Sequence, residues 1–206
     1  MDNVLVYLYR ELTGNPFLKI ITLHKNEKSW IKKAVAGDPR ACRTIYENYA
    51  SKMLSVCRQY IRDLQFAEDA MVSGFTKVFQ NLGSFEHRGS FEGWVRRIMV
   101  RECISFLRKR QFVVFDDEVY EAQYAEAKTS SGIWEDDIQQ QIDALPQGYK
   151  MVFLLYAVEG YKHHEIADML KISEGTSKSQ LFKARKMLQE GLKLKGISSS
   201  SKFGGS

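Results

Sequence analysis

From residue 27 onward the apolar side chains of this chain recur at three- and four-residue spacing, and no stretch alternates apolar with polar residues as a half-buried strand does. That periodicity confines the fold to packed helices. Between Asp38 and Arg62 the stripe runs through Cys42, Ile45, Tyr46, Tyr49, Met53, Val56, Cys57 and Tyr60, which predicts one long helix. Asp38-Pro39 supplies its start: a carboxylate to accept a free backbone N–H, then a proline where no N–H is needed. A second helix is expected from Phe66 to Leu82, with Met71, Phe75, Val78, Phe79 and Leu82 on one face and Gly83 to end it. Ser90 is placed to cap a third, running from Phe91 to Arg110.

The pattern stops at Phe112. From there to Gln141 stand eight acids, among them Asp116-Asp117-Glu118 and Glu135-Asp136-Asp137, against the single base Lys128. Thr129-Ser130-Ser131-Gly132 lies in the middle, so the segment reads as a flexible acidic linker. Helical spacing resumes over Ile138–Leu145, Gln147–Val158, Lys162–Leu170 and Glu174–Leu194. The expected architecture is therefore all-α, with two small helical domains over residues 26–111 and 142–195. The linker spans 112–141, a leader of unknown role covers 1–25, and a Ser/Gly-rich tail over 196–206 is disordered by composition.

A net charge of +5 argues little by itself, but its distribution argues more. Residues 86–111 carry +4 and residues 149–195 another +4, whereas the linker carries −7. Two basic modules on an acidic strap point to a polyanionic partner. The three cysteines, Cys42, Cys57 and Cys103, form no CxxC pair and leave one over. Neither a disulfide framework nor a zinc ribbon is expected, and a reducing cytoplasm fits them best. The longest apolar runs, such as Val4–Tyr9 and Met151–Val158, are far shorter than the roughly 20 residues that cross a bilayer. Met1-Asp2-Asn3 lacks the basic flank of a signal peptide, so a cytoplasmic location is expected.

The sharpest motif lies in the C-terminal half. A short amphipathic helix from His163 to Leu170, the connection Lys171-Ile172 and the cap Ser173 before a longer helix make a helix-turn-helix. Ile166, Ala167, Leu170, Ile172 and Leu181 are expected to face inward. The second helix then offers Thr176, Ser177, Lys178, Ser179, Gln180, Phe182, Lys183 and Arg185, an inventory of hydroxyls and longer donors suited to phosphates and base edges. A basic solvated face on an ordinary bundle would use the same residues. The other concentration of charge is the helix from Phe91, where Arg97, Arg101 and Arg108 share one face as a phosphate-tracking stripe. The loop from Phe85 to Ser90 leads into Phe91 and Trp94, and aromatics beside arginines are what a single-strand binder uses. Phe91, Trp94 and Ile98 fit a core stripe equally well.

Several pieces occur in one order that is diagnostic together: Ala67-Glu68-Asp69, Phe75-Thr76-Lys77-Val78-Phe79, Gly89-Ser90-Phe91-Glu92-Gly93-Trp94-Val95-Arg96-Arg97-Ile98, Leu107-Arg108-Lys109-Arg110, Ala144-Leu145-Pro146, Glu165-Ile166-Ala167, Gly175-Thr176 and Lys178-Ser179. In them the chain resembles a bacterial RNA polymerase sigma factor of the sigma-70 family, extracytoplasmic-function group, over about residues 27–195. The resemblance implies a first domain that binds the polymerase clamp helices and opens the −10 promoter element. It implies a second domain that reads the −35 element and touches the polymerase flap. Carried onto this chain, polymerase contacts fall on Glu68, Asp69, Val72, Ser73, Phe75 and Lys77. The −10 and melting residues would be Phe85, His87, Arg88, Phe91, Trp94, Arg97, Arg101 and Arg108, and the −35 readers those of the recognition helix. The implied partners are core RNA polymerase and promoter DNA, duplex and single-stranded, with an anti-sigma factor as a further candidate. The acidic linker would thread the nucleic-acid channel of the polymerase.

Two departures stand out. Where the family commonly has glutamine followed by an acid, this chain has Val72-Ser73, and Arg101 stands where asparagine is more usual. An enzyme is the weaker reading, because no Ser-His-Asp set, phosphate loop or redox pair is visible. Adjacent His163 and His164 point about 100° apart on a helix and cannot share a metal as an i, i+4 pair does. No catalytic residue, metal or cofactor is expected. A polymerase-independent helix-turn-helix regulator accounts for Lys162–Arg185 but leaves Arg88–Arg110 without a purpose.

Overall fold

The computed structural model describes residues 27–109 and 134–194, which belong to two compact units. Among the described residues every regular element is helical. In the first unit α1 covers 27–35, α2 Pro39–Tyr60, α3 Leu64–Gln80 and α4 Phe91–Lys109, with a 3₁₀ turn at Leu82–Ser84. Asp38 caps α2 by accepting from the Arg40 amide at 2.9 Å, and Pro39 follows it. Asp63 does the same for α3 through the Phe66 amide at 3.0 Å, so that helix begins at Leu64, ahead of the expected Phe66. Its C-terminal end comes early as well, because the chain tightens into the 3₁₀ turn before Gly83 is reached. Ser90 caps α4, its Oγ accepting from the Gly93 amide at 3.1 Å.

Helices α2, α3 and α4 pack mutually around one core. Ile45, Met53, Tyr60, Phe75, Val78, Phe91, Val95 and Met99 are all buried there, each contributing about 1.5–3 kcal/mol through its loss of contact with water. Gly74 lets α3 lie directly on α4, since a Cβ at that position would stand 2.3 Å from the Met99 sulfur. The buried thiols of Cys57 and Cys103 meet in the same core. Their hydrogen bond, and then burial, hold the Cys103 thiol well above the usual range, so it stays protonated and inert.

The second unit contains α5 Trp134–Ala144, α6 Gln147–Phe153, a π turn at Leu154–Val158, α7 His163–Leu170 and α8 Glu174–Leu194. Helix α5 starts four residues before the expected Ile138. Residues 135–137, read from the sequence as linker, fall within its first turn. The rest of the linker, the leader and the tail lie outside the described residues. Pro146 separates α5 from α6. Lys150 on α6 is completely buried, its ammonium 2.5 Å from Asp143 Oδ1 on α5. Ile142, Met151, Leu155, Ile166, Leu170, Leu181 and Leu188 surround that pair's helices as the core. No described helix is long and apolar enough to cross a membrane.

Candidate nucleic-acid interface

The helix-turn-helix forms as the sequence demands. Lys171 takes the left-handed conformation (φ 59°) that reverses the chain after α7, and Ser173 Oγ then accepts from the Thr176 amide at 2.9 Å to start α8. Helix α8 turns Lys178, Ser179, Phe182 and Lys186 outward, with Thr176, Lys183 and Arg185 half-buried at the edge. Phe182 is 70% exposed, an unusual position for a large apolar ring. Two of the expected readers are not on this face. Ser177 and Gln180 are at most 1% exposed, because they share the three- and four-residue spacing of Leu181, Ala184 and Leu188 on the core side. Ser177 shares a 2.9 Å hydrogen bond with His163 Nδ1 on α7 instead.

Four long cations of α8 have intramolecular partners. Lys178 holds Glu174 at 2.8 Å and Lys186 approaches Glu190 at 4.0 Å. Lys183 lies over the Tyr149 ring at 5.9 Å and Arg185 over the Tyr156 ring at 5.5 Å. The hydrogen bond and charge of Lys178 keep the Glu174 carboxyl below its ordinary range. His163 stacks on Tyr156 with ring centres 4.7 Å apart and planes 25° from parallel. Burial, and then the Lys178 charge, push its pKa down, Arg185 adding to the effect and Glu174 opposing it.

In the first unit α4 exposes Arg97, Arg101 and Arg108 in a line. At its N-terminal end a cleft of about 210 Å³ opens between Ser84, Phe85, Arg88, Gly89, Trp94 and Arg97. The loop that shapes it bends at His87 (φ 57°) and Gly89 (φ 101°). Phe85 centres an aromatic cluster, 4.7 Å from His87, 5.2 Å from Phe91 and 5.5 Å from Trp94. Phe85 lines the cleft but is buried, and Phe91 is buried against it, so neither ring is a stacking platform for a base. Half-exposed Trp94 and exposed His87, Arg88 and Arg97 are the groups of this set that a ligand can reach.

Helix α3 displays Glu68, Asp69 and Val72 to solvent, the valine 54% exposed. Phe75, expected on the same surface, is instead buried against Tyr46 at 4.8 Å. Ser73 and Lys77 both engage Glu102 on α4, the hydroxyl at 3.0 Å and the ammonium as an ion pair.

Two family models match the chain, one to each unit: Sigma-70 region 2 over residues 45–113 and Sigma-70, region 4 over residues 135–188. The chain belongs to the sigma-70 family. It falls in the extracytoplasmic-function group, whose members act in transcription initiation. It is 26% identical over 184 residues to the ECF RNA polymerase sigma factor SigW of Bacillus subtilis, covering 81% of this chain and 96% of that one. Against the RNA polymerase sigma-H factor of Pseudomonas aeruginosa it is 25% identical over 182 residues, covering 82% and 94%. A solved chain, the sigma factor RpoE from Bartonella quintana in complex with the anti-sigma factor NepR, covers 74% of this chain at 20% identity and a TM-score of 0.46.

For this sigma factor the structure also brings forward residues that pattern reading missed. Glu102 is 8% exposed on a helix that is mostly basic. Its spacing of three from Met99 and seven from Val95 places it on the core stripe, a signal that the sequence does hold. Ser73 stands where the family resemblance leads one to expect an acid, and the carboxylate beside it comes from Glu102 on the neighbouring helix. His163 and Tyr156 belong to the same class of unrecognised residues.

Proposed function

We propose that this sigma factor binds core RNA polymerase through the outer face of α3, with Glu68, Asp69 and Val72 in the contact. We further propose that the first unit captures and opens the −10 element, and that α8 reads the −35 element. One observation carries the melting assignment. Arg97 belongs both to the aromatic cleft and to the arginine line of α4, so a base drawn into the cleft leaves its backbone on a continuous basic track. The −35 readers in this reading are Thr176, Lys178, Ser179, Phe182, Lys183 and Arg185. The acidic residues between the units pass through the polymerase's nucleic-acid channel. The named relatives are RNA polymerase sigma factors, which supports the polymerase as partner, and the anti-sigma factor seen with a family member is a candidate second partner. The test is a pull-down with core RNA polymerase followed by run-off transcription. Capture of the polymerase and discrete start sites are expected. Tight duplex binding by the chain alone, with no start sites when core polymerase is added, would give the field to a polymerase-independent regulator.

The ion pair at the start of α8 supplies a second expectation. Glu174 occupies the Lys178 ammonium and puts a negative charge at the edge of the reading face. Glu174→Gln frees the lysine and removes the repulsion of phosphate, so promoter-duplex affinity of the holoenzyme is expected to rise about threefold. Fluorescence anisotropy of a labelled promoter duplex measures it, and an unchanged affinity would show that Lys178 does not meet DNA.

A further inference from the structure

Phe182 is the anomaly of α8. Its ring is 70% exposed on a helix where Leu181 and Leu188 are buried. A surface that another protein covers is a contiguous apolar patch, and this ring is not part of one. The positions three and four residues from Phe182, its neighbours on the helix face, are Lys178, Ser179, Arg185 and Lys186. A single ring thus stands in a polar, mostly cationic frame, with Lys178 one turn before it and Lys186 one turn after. That frame matches a small apolar target set in a polyanion.

The polar groups around the ring already have partners. Lys178 holds Glu174 and Lys186 approaches Glu190. Ser179 donates its hydroxyl to Thr176 O at 3.0 Å, and Thr176 Oγ1 shares a 2.8 Å hydrogen bond with Ser173. The Phe182 ring meets solvent over most of its area, so a contact there costs it no hydrogen bond. The major groove of duplex DNA offers one apolar group on its base edges, the C5 methyl of thymine; the other groups are donors and acceptors.

We propose that Phe182 is a specificity-determining residue that reads the C5 methyl of a thymine in the −35 element. The inference rests on the assignment of α8 as the −35 reader. Cations one turn away on either side hold the helix to the duplex, and the ring closes over the methyl and expels the water between them. Cytosine at that position lacks the methyl and brings its N4 amine towards a ring that offers no acceptor. The ring therefore both favours thymine and disfavours the other pyrimidine.

The experiment uses the full chain with core RNA polymerase and a promoter selected by the wild-type holoenzyme from a library randomised through the upstream region. Each upstream thymine is replaced in turn by uracil, which deletes only the methyl, and fluorescence anisotropy gives the affinity for the duplex. At one position the wild-type holoenzyme is expected to lose about fourfold in affinity, the effect of burying one methyl group. Phe182→Ala is expected to bind the thymine and uracil duplexes equally at that position while still capturing core polymerase. Uracil alters the DNA alone, so the wild-type loss owes nothing to misfolding. A selected element with no preferred thymine, or with no uracil effect at any thymine, overturns the inference and leaves the −35 assignment standing. A uracil effect that Phe182→Ala retains overturns it too, since another residue then reads the methyl. Loss of polymerase capture by Phe182→Ala overturns it in favour of a protein contact. A library with no upstream preference overturns the −35 assignment itself, and the inference with it.

Discussion

Replacing Arg97, Arg101 and Arg108 together with alanine is expected to reduce promoter opening about a hundredfold while the protein stays folded. All three side chains are exposed on α4, so their removal leaves the core of the unit intact. If each holds one phosphate of the displaced strand for about 1 kcal/mol, the combined loss of about 3 kcal/mol corresponds to a factor near a hundred in the open-complex equilibrium. Arg97 is expected to contribute the largest share, because it also lines the cleft beside Trp94. Permanganate reactivity of unpaired thymines measures opening directly. Binding of the −35 duplex, which the scheme assigns to α8, is expected to be unaffected. Full thymine reactivity in the triple variant would return the stripe to the role of a solvated surface.

Gly74→Leu is expected to destabilise the first unit by about 3 kcal/mol, which lowers the midpoint of its thermal transition by about 15 °C. The reason is a single contact. A Cβ at position 74 would stand 2.3 Å from Met99 Sδ and 3.1 Å from its terminal methyl, and because Met99 is wholly buried, the displaced thioether and the added leucine branch must both find room inside the core. The gain in helix propensity on leaving glycine, near 1 kcal/mol, is too small to offset such overpacking. Gly83→Leu is the control, since nothing lies within 4 Å of that position. Adding Met99→Ala to Gly74→Leu is expected to restore part of the loss, as the new side chain fills the space vacated. A denaturation midpoint for Gly74→Leu equal to wild type would mean that α3 and α4 are free to separate.

Much of this was legible in the residues themselves. Period, caps and breakers located the helices because each signal acts within one turn: Asp38 before Pro39, Ser90 before α4, Ser173 before α8. The helix-turn-helix was legible for the same reason. What escaped the sequence depends on which neighbour a side chain finds. Ser177 and Gln180 have the donor chemistry of DNA readers, yet their place in the helical period turns them inward. Phe75, Phe85 and Phe91 could equally have served a surface, and only the packing of α2, α3 and α4 consigns them to the interior. Glu102 looked like a stray acid until α3 supplied Ser73 and Lys77 opposite it. The π turn at Tyr156 has no local signal in composition at all.

The partnering of the α8 cations also bears on how the protein responds to salt. A cation that arrives at DNA releases a condensed counterion, and the sum of these releases makes binding fall steeply as ionic strength rises. Lys178 and Lys186 arrive already holding Glu174 and Glu190. When phosphate displaces those carboxylates, each is left to gather a small cation from solution, which cancels one release. Where α8 meets DNA as proposed, these two lysines therefore add little net ion release. On that reading, promoter affinity carried by α8 falls less steeply with rising salt than the formal charge of the helix would suggest.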